Sequence, residues 1–319
     1  MGVSLGLIPG FLQRPAWMRR RHGCPMMDGM TLSPAGGGLD AFLDPETDYP
    51  ANHFALQYVL NALAARPAPT LVEVGTGHAT ALAPLIRAGV DVRGFDIDPD
   101  LVARGREQMG ALGQDPESVT VGDIEDPVSY ATVLRDGPFD ALLALGILPN
   151  VANEIGTLRN MQALVRPGGE VFVEFRNVLF SLFTSNRHTR NFIVDELLAD
   201  VSDDLRSSVS DVLESRVDMD RPPLPRAGAS AWRFHNPFEV AERFASLGFV
   251  DVRPHFFHYH PAMPFLASEH PASFRRESMR LENEASGWRG MFLCSAFLIH
   301  ARRPGVASAA ASPSIPHGV

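Results

Sequence analysis

Lysine is absent from this 319-residue chain; all 28 of its basic residues are arginine. The protein therefore has no side chain for a Schiff base, an amine general base or the phosphate-holding lysine of a Walker-type loop. Cysteine is scarce, with only Cys24 and Cys294. That argues against a disulfide framework, a cysteine-ligated zinc or an iron–sulfur cluster. No apolar run is long enough to span a bilayer. An apolar stretch covers residues 3–12, but its arginines follow rather than precede it, the reverse of a secretory signal. The expected compartment is the reducing cytoplasm, with no membrane partner. Positive charge is also short: 28 arginines face 37 acidic residues, a net charge of -9. Such a chain has no broad basic face for nucleic acid, and the Arg19-Arg20-Arg21 run reads as a solvated local patch.

The 45% hydrophobic content is enough for a sizeable core. Residues 1–40, rich in Gly, Pro and Met, read as a flexible leader, and 303–319, rich in Ala, Ser and Pro, as a disordered tail. Between them lies one domain over 41–302, in which strand and helix signals alternate. A helix over 50–65 precedes a strand over 70–74, and a helix over 80–88 precedes a strand over 91–95. Asp98-Pro99 caps a helix running to 109, and a short strand covers 119–121. Asp126-Pro127 repeats the capping device for a further helix. A strand over 141–145, a helix over 153–165 and a strand over 170–175 complete five βα units. This order predicts an α/β fold with a doubly wound, mostly parallel sheet.

The pattern then changes. Apolar residues at helical spacing from Ile193 to Leu213 predict one long amphipathic helix, or a pair, over 189–217. The helical insertion, over about 178–235, reads either as a cap on the ligand crevice or as a packing or dimerisation element, which leaves a homodimer open. A helix over 237–247, a strand over 250–258 and a last strand over 291–301 follow.

The most informative stretch is Glu73-Val74-Gly75-Thr76-Gly77, at the end of the first strand, followed at the end of the second by Asp96-Ile97. A strand, a glycine turn, a helix and a strand ending in a carboxylate build a nucleotide crevice at the edge of a parallel sheet. A dinucleotide's pyrophosphate calls for a third glycine, and Thr80 stands in its place. An adenosine without phosphates does not need one. Asp123-Ile124, ending the third strand, adds a carboxylate for an adenine amino group and an apolar neighbour for its ring.

With Leu145-Gly146 and the Arg166-Pro167-Gly168-Gly169 turn, this order of motifs resembles the class I S-adenosylmethionine-dependent methyltransferases, in their small-molecule branch. The resemblance covers residues 50–177 well and 237–302 more loosely. It implies a seven-stranded Rossmann-like sheet with an antiparallel last strand and S-adenosylmethionine as cofactor. It carries roles to Glu73, Gly75, Thr76 and Gly77 at the methionine portion, to Asp96 with Ile97 at the ribose, to Asp123 and Ile124 at the adenine, and to Leu145 and Gly146 facing the methyl donor.

For chemistry, two strand ends stand out. Arg176 and Asn177 end the fifth strand, where they could hold a polar or anionic acceptor. In His255-Phe256-Phe257-His258-Tyr259-His260, strand alternation puts His258 and His260 on one face and His255 on the other. One of that pair is the candidate general base; a metal site of this spacing lacks a nearby acidic partner. Asn186 and Arg190 are further candidates for substrate contacts, with His188 and His235-Asn236 behind them. Phe175, Phe180 and Phe183 read as stacking platforms or as core.

The leading expectation is methyl transfer to a small molecule, at the oxygen of a saccharide or natural product. The alternatives are a nicotinamide-dependent oxidoreductase on a similar sheet and a non-catalytic S-adenosylmethionine-binding partner subunit.

Overall fold

The computed structural model describes residues 51–224, 233–283 and 287–305. The expected leader, and the tail from residue 306, lie outside the described residues. Arg303, assigned to the tail by composition, is docked: its N–H donates to Gly169 O at 2.8 Å and its guanidinium to Val165 O at 2.7 Å.

The described order is α1 (Ala51–Leu63), β1 (Thr70–Val74), α2 (Leu82–Arg87), β2 (Asp91–Asp96), α3 (Pro99–Ala111), β3 (Val119–Val121), β4 (Phe139–Ala144), α4 (Glu154–Leu164), β5 (Val165–Arg176), α5 (Arg187–Asn191), α6 (Asp203–Arg216), α7 (Pro237–Ser246), β6 (Val250–Tyr259), α8 (Pro271–Asn283), α9 (Gly290–Leu293) and β7 (Cys294–Arg302). The strands form one sheet in the order β3-β2-β1-β4-β5-β7-β6. β7 alone runs antiparallel, to both β5 and β6. The expected seven-stranded doubly wound sheet is therefore the observed one.

Strand order reverses between β1 and β4, and a crevice opens there at their C-terminal ends. All six residues of β4 are buried, as a central parallel strand covered on both faces requires. The core continues where Phe175 of β5 stacks on Phe297 of β7, with ring centroids 5.5 Å apart, and meets Phe244 of α7 edge-on. Phe175 is thus core, not a platform for a ligand. On the opposite face, Tyr58 of α1 stacks on His255 at 3.7 Å and its hydroxyl bonds to His300 Nδ1 at 3.0 Å.

Asp98 caps α3 as expected, accepting from the N–H groups of Asp100 and Leu101. Asp126 does not start a helix. Its carboxylate accepts from Val128 N, and the Ser129 hydroxyl donates to Asp126 O at 2.7 Å. These local bonds satisfy the backbone as a turn, and the segment before β4 holds only turns and a 3₁₀ turn at Val133–Arg135.

Of the two expectations over 189–217, the structure has the helix pair and not the single long helix. A 3₁₀ segment at Val178–Phe183 leads to α5, a π turn follows at Phe192–Leu197, and α6 starts afresh at Asp203. Two carboxylates, Asp203 and Asp204, occupy the first turn of α6, where they favour a helix start rather than a helix interior. Leu205 is exposed while Ser210 is buried, because Arg190 draws Ser210 inward. Helix α8 was not expected from the pattern. The one-turn α9 takes the start of the expected last strand.

Removing the Phe297 ring leaves a hole between Phe175 and Phe256 in the middle of the core. Phe297→Ala is expected to lower stability by about 3–5 kcal/mol, read as a lower denaturant midpoint with an unchanged slope.

Candidate active site

The chain leaves β1 through Gly75 at φ +72°, in the left-handed region that favours glycine. A Cβ there would collide with the Ile147 side chain. The turn is held by β2. The N–H groups of Gly75 and Thr76 both donate to Phe95 O, at 2.8 and 3.1 Å, and the Gly77 N–H donates to Asp96 Oδ2 at 2.8 Å. Beneath it, the Thr76 hydroxyl donates to Glu73 Oε2 at 2.8 Å. Burial pushes the Glu73 carboxyl up to about 8; the Thr76 hydrogen bond opposes this and the neighbouring Asp96 adds to it. Glu73, Thr76 and Gly77 therefore shape the turn from below.

Beyond the turn lies a cleft of 370 Å³, to which Gly75, Asp96, Ile97, Asp123 and Ile124 all contribute. Five of the ten sequence-selected cofactor residues meet there. Each Asp96 oxygen accepts one backbone N–H, from Gly77 and from Asp98 at 3.0 Å, which leaves further lone pairs for ligand hydroxyls. Asp123 Oδ1 accepts from Glu125 N at 2.9 Å. Ile97 is 65% exposed at the lip, while Ile124 is buried. Glu125 ties the far rim by accepting from Ala152 and Asn153 N–H at 2.9 and 2.6 Å.

Asp96, Asp98, Asp123 and Glu125 line this cleft, and among the described lining residues there is no Arg or His. A pyrophosphate would meet only like charge, whereas a cationic ligand carrying ribose hydroxyls and an adenine suits it. S-adenosylmethionine fits these residues. Ile147 occupies the space over Gly75 and itself lines the cleft.

A second cavity, of 310 Å³, lies at the C-terminal ends of β5 and β6 and the start of β7, under the insertion. Arg176, His258 and His260 all line it, so these three candidates come together. The register of β6 on β7 places Ser295 opposite His258, and Ser295 Oγ lies 2.7 Å from His258 Nδ1. His258 has φ +63°, a strained conformation for a side chain of this size. The His258 and His260 rings are 4.7 Å apart. Burial lowers the His258 imidazole to about 4; burial, with His258 as neighbour, lowers His260 to about 3. Both are neutral at pH 7. Burial likewise raises the Glu174 carboxyl and lowers the Arg176 guanidinium, each partly offset by the other's charge. Leu145 and Gly146 line neither cavity.

Three expected substrate contacts are corrected. Asn177 is fully buried; its amide donates to Met291 O and Cys294 O at 2.7 and 2.8 Å, and its oxygen caps Leu179 N. Asn186 is also fully buried, donating to Arg221 O and Pro223 O and accepting from Thr184 Oγ1 and His188 N. With these bonds made, both amides anchor the chain. Arg190 points along the insertion, to Ser210 Oγ at 2.7 Å and to Glu214 and Asp195.

The cavity draws instead on Glu174, Thr184, His188, Phe234 and Ser295. Thr184 ends the 3₁₀ segment and His188 sits in the first turn of α5, so a turn at Ser185 brings them to one cavity. Glu174 shares a strand face with Arg176. Ser295 needed the β6–β7 register. Among the described residues, no group of three or more His, Cys, Asp or Glu is placed to hold a metal ion, and no helix is long and apolar enough to cross a membrane.

Comparison with known proteins adds a family. Residues 72–171 match the family described as "Methyltransferase domain". A demethylmenaquinone methyltransferase of Beutenbergia cavernae is 32% identical over 114 residues, or 36% of this chain and 43% of that protein. A ubiquinone biosynthesis O-methyltransferase of Xanthomonas campestris is 29% identical over 126 residues, or 40% of this chain and 50% of that protein. The chain thus spans half the length or less of these curated relatives. A solved magnesium protoporphyrin IX methyltransferase from Synechocystis, with bound SAH, aligns at 13% identity and a TM-score of 0.44, covering 78% of this chain and 82% of that one.

The buried Glu73 yields a stability test. Between about pH 4.5, the ordinary value, and about pH 8 the native chain holds a proton on Glu73 that the unfolded chain has released. Native stability therefore falls as pH rises through that window. Glu73→Gln keeps an acceptor for Thr76 and removes the titration. The gap between wild type and variant in chemical denaturation is expected to move in the variant's favour from pH 5 to pH 8.

Proposed function

We propose, from the match of residues 72–171 to the methyltransferase domain family, that the chain transfers a methyl group from S-adenosylmethionine to the hydroxyl of a small natural product. The observation that carries this reading is the cleft bordered, among the described residues, by four carboxylates and no cation, with a second cavity of small-molecule size at the C-terminal ends of other strands of the same sheet. Asp96 would hold the ribose hydroxyls, and Asp123 with Ile124 the adenine. Ile97 would cover the ring. The cofactor supplies a sulfonium methyl: the acceptor oxygen bonds to that carbon as the C–S bond breaks, sulfur keeps the electron pair, and the hydroxyl proton passes to a base of the chain.

His258 and His260 are the groups assigned to that proton, since both are neutral and border the second cavity. Arg176 orients the acceptor. What remains for the protein is alignment and exclusion of water, because a sulfonium is a good leaving group without further activation. Of the two acceptor classes considered from sequence, the cavity's Phe180, Phe234, Pro223 and Ala296 walls favour a natural product over a saccharide. The net charge of -9 speaks against RNA as acceptor.

Calorimetry with S-adenosylhomocysteine and with NADH tests the reading. S-adenosylhomocysteine is expected to bind and NADH not to. Asp96→Ala is expected to weaken S-adenosylhomocysteine by roughly 10- to 100-fold, the worth of lost bonds to a charged group. Tight NADH binding with no S-adenosylhomocysteine binding would favour an oxidoreductase instead.

A further inference from the structure

We propose that the cavity between β5, β6, β7 and the insertion takes a single-ring aromatic compound with a free hydroxyl, seated with that hydroxyl on His260. The inference rests on the methyl-transfer reading for the fate of the hydroxyl, but its binding geometry is argued separately.

The size comes first. At 310 Å³ the cavity is at the small end of ligand sites, room for one ring with short substituents. The walls come next. Phe180 packs against the His260 ring with centroids 4.6 Å apart, and Phe234 meets His188 edge-on at 5.0 Å. These flat apolar surfaces suit a planar ring, which stacks on them or meets them edge-on.

The polar groups decide the rest. Thr184 Oγ1 is taken up by Ser181 O at 2.9 Å and Asn186 Oδ1 at 2.8 Å. Ser295 Oγ is bonded to His258 Nδ1. Glu174 faces the charge of Arg176. In contrast, both ring nitrogens of His260 are buried with no hydrogen-bond partner among the described residues. A buried polar group left unpaired is costly, so this imidazole asks for a ligand with a hydrogen-bonding group, and a hydroxyl, which both donates and accepts, can serve either nitrogen. A saccharide brings a hydroxyl on almost every carbon, and most would find their partners here already engaged. An amine would add a positive charge beside Arg176. Acidity points the same way: an imidazole lowered to about 3 is a feeble base for an aliphatic alcohol, whereas a phenol, with a pKa of about 10, is a far better proton donor.

The experiment is calorimetric titration of 4-methylphenol, methyl glucoside and benzylamine into the full chain, with and without S-adenosylhomocysteine. Alongside it runs His260→Phe, which keeps the ring volume and removes both nitrogens. The phenol is expected to bind at least tenfold tighter than the other two. It should lose about tenfold in His260→Phe, the worth of one good hydrogen bond, while S-adenosylhomocysteine affinity stays unchanged. Glucoside or amine binding as tight as the phenol in wild type overturns the proposal whether or not the variant folds. So does unchanged phenol affinity in a folded His260→Phe. Failure of S-adenosylhomocysteine to bind sinks the methyl-transfer reading instead, and the phenol titration without it still reports on the cavity.

Discussion

The glycine turn after β1 owes its shape to its neighbour strand. Phe95 O takes two of its N–H groups and the Asp96 carboxylate a third. The same carboxylate also accepts from Asp98, at the start of α3. One side chain therefore fixes the turn, the strand end and the following helix at once, and its remaining lone pairs face the cleft. The acid-lined geometry of the nucleoside site depends on this shared anchor. Glu73, neutral and buried beneath, ties the underside of the turn to β1 through Thr76.

The other end of the sheet solves a different problem. β7 runs back between β5 and β6, so residues from three strands converge where the insertion crosses above them. The returning chain is stitched to β5: His235 N donates to Arg176 O and Val178 N to His235 O, at 2.8 and 3.0 Å. Next to it, Arg233 reaches Val151 O at 3.1 Å, and Val151 lines the nucleoside cleft. Phe234 lies between these two anchors and lines the second cavity. Residues 233–235 therefore tie a wall of the second cavity to the rim of the nucleoside cleft.

The sheet was legible because its signals are local: apolar runs for buried strands, Asp-Pro for helix starts, glycine with an acid twenty-one residues on for the crevice. Where those signals misled, a competing local bond won, as at Asp126, where the serine three residues on completed a turn. The insertion was less legible, because periodicity alone cannot see a π turn or a fresh helix start such as Asp203-Asp204. The candidate site divides in the same way. His258 and His260 could be paired by strand alternation, and Asp96 and Asp123 by their place at strand ends. Asn177 and Asn186 have the chemistry of ligand-binding residues, but their amides are consumed by carbonyls distant in sequence. Ser295 was invisible because its meeting with His258 depends on register across an antiparallel pair separated by α8.

The Asn177 amide, at the end of β5, holds Met291 O and Cys294 O while its oxygen caps Leu179 N. Lifting the insertion from that corner would leave a buried amide unpaired, at a cost of about 1–3 kcal/mol. The point where the insertion leaves the sheet is thus clamped between β5 and the start of β7.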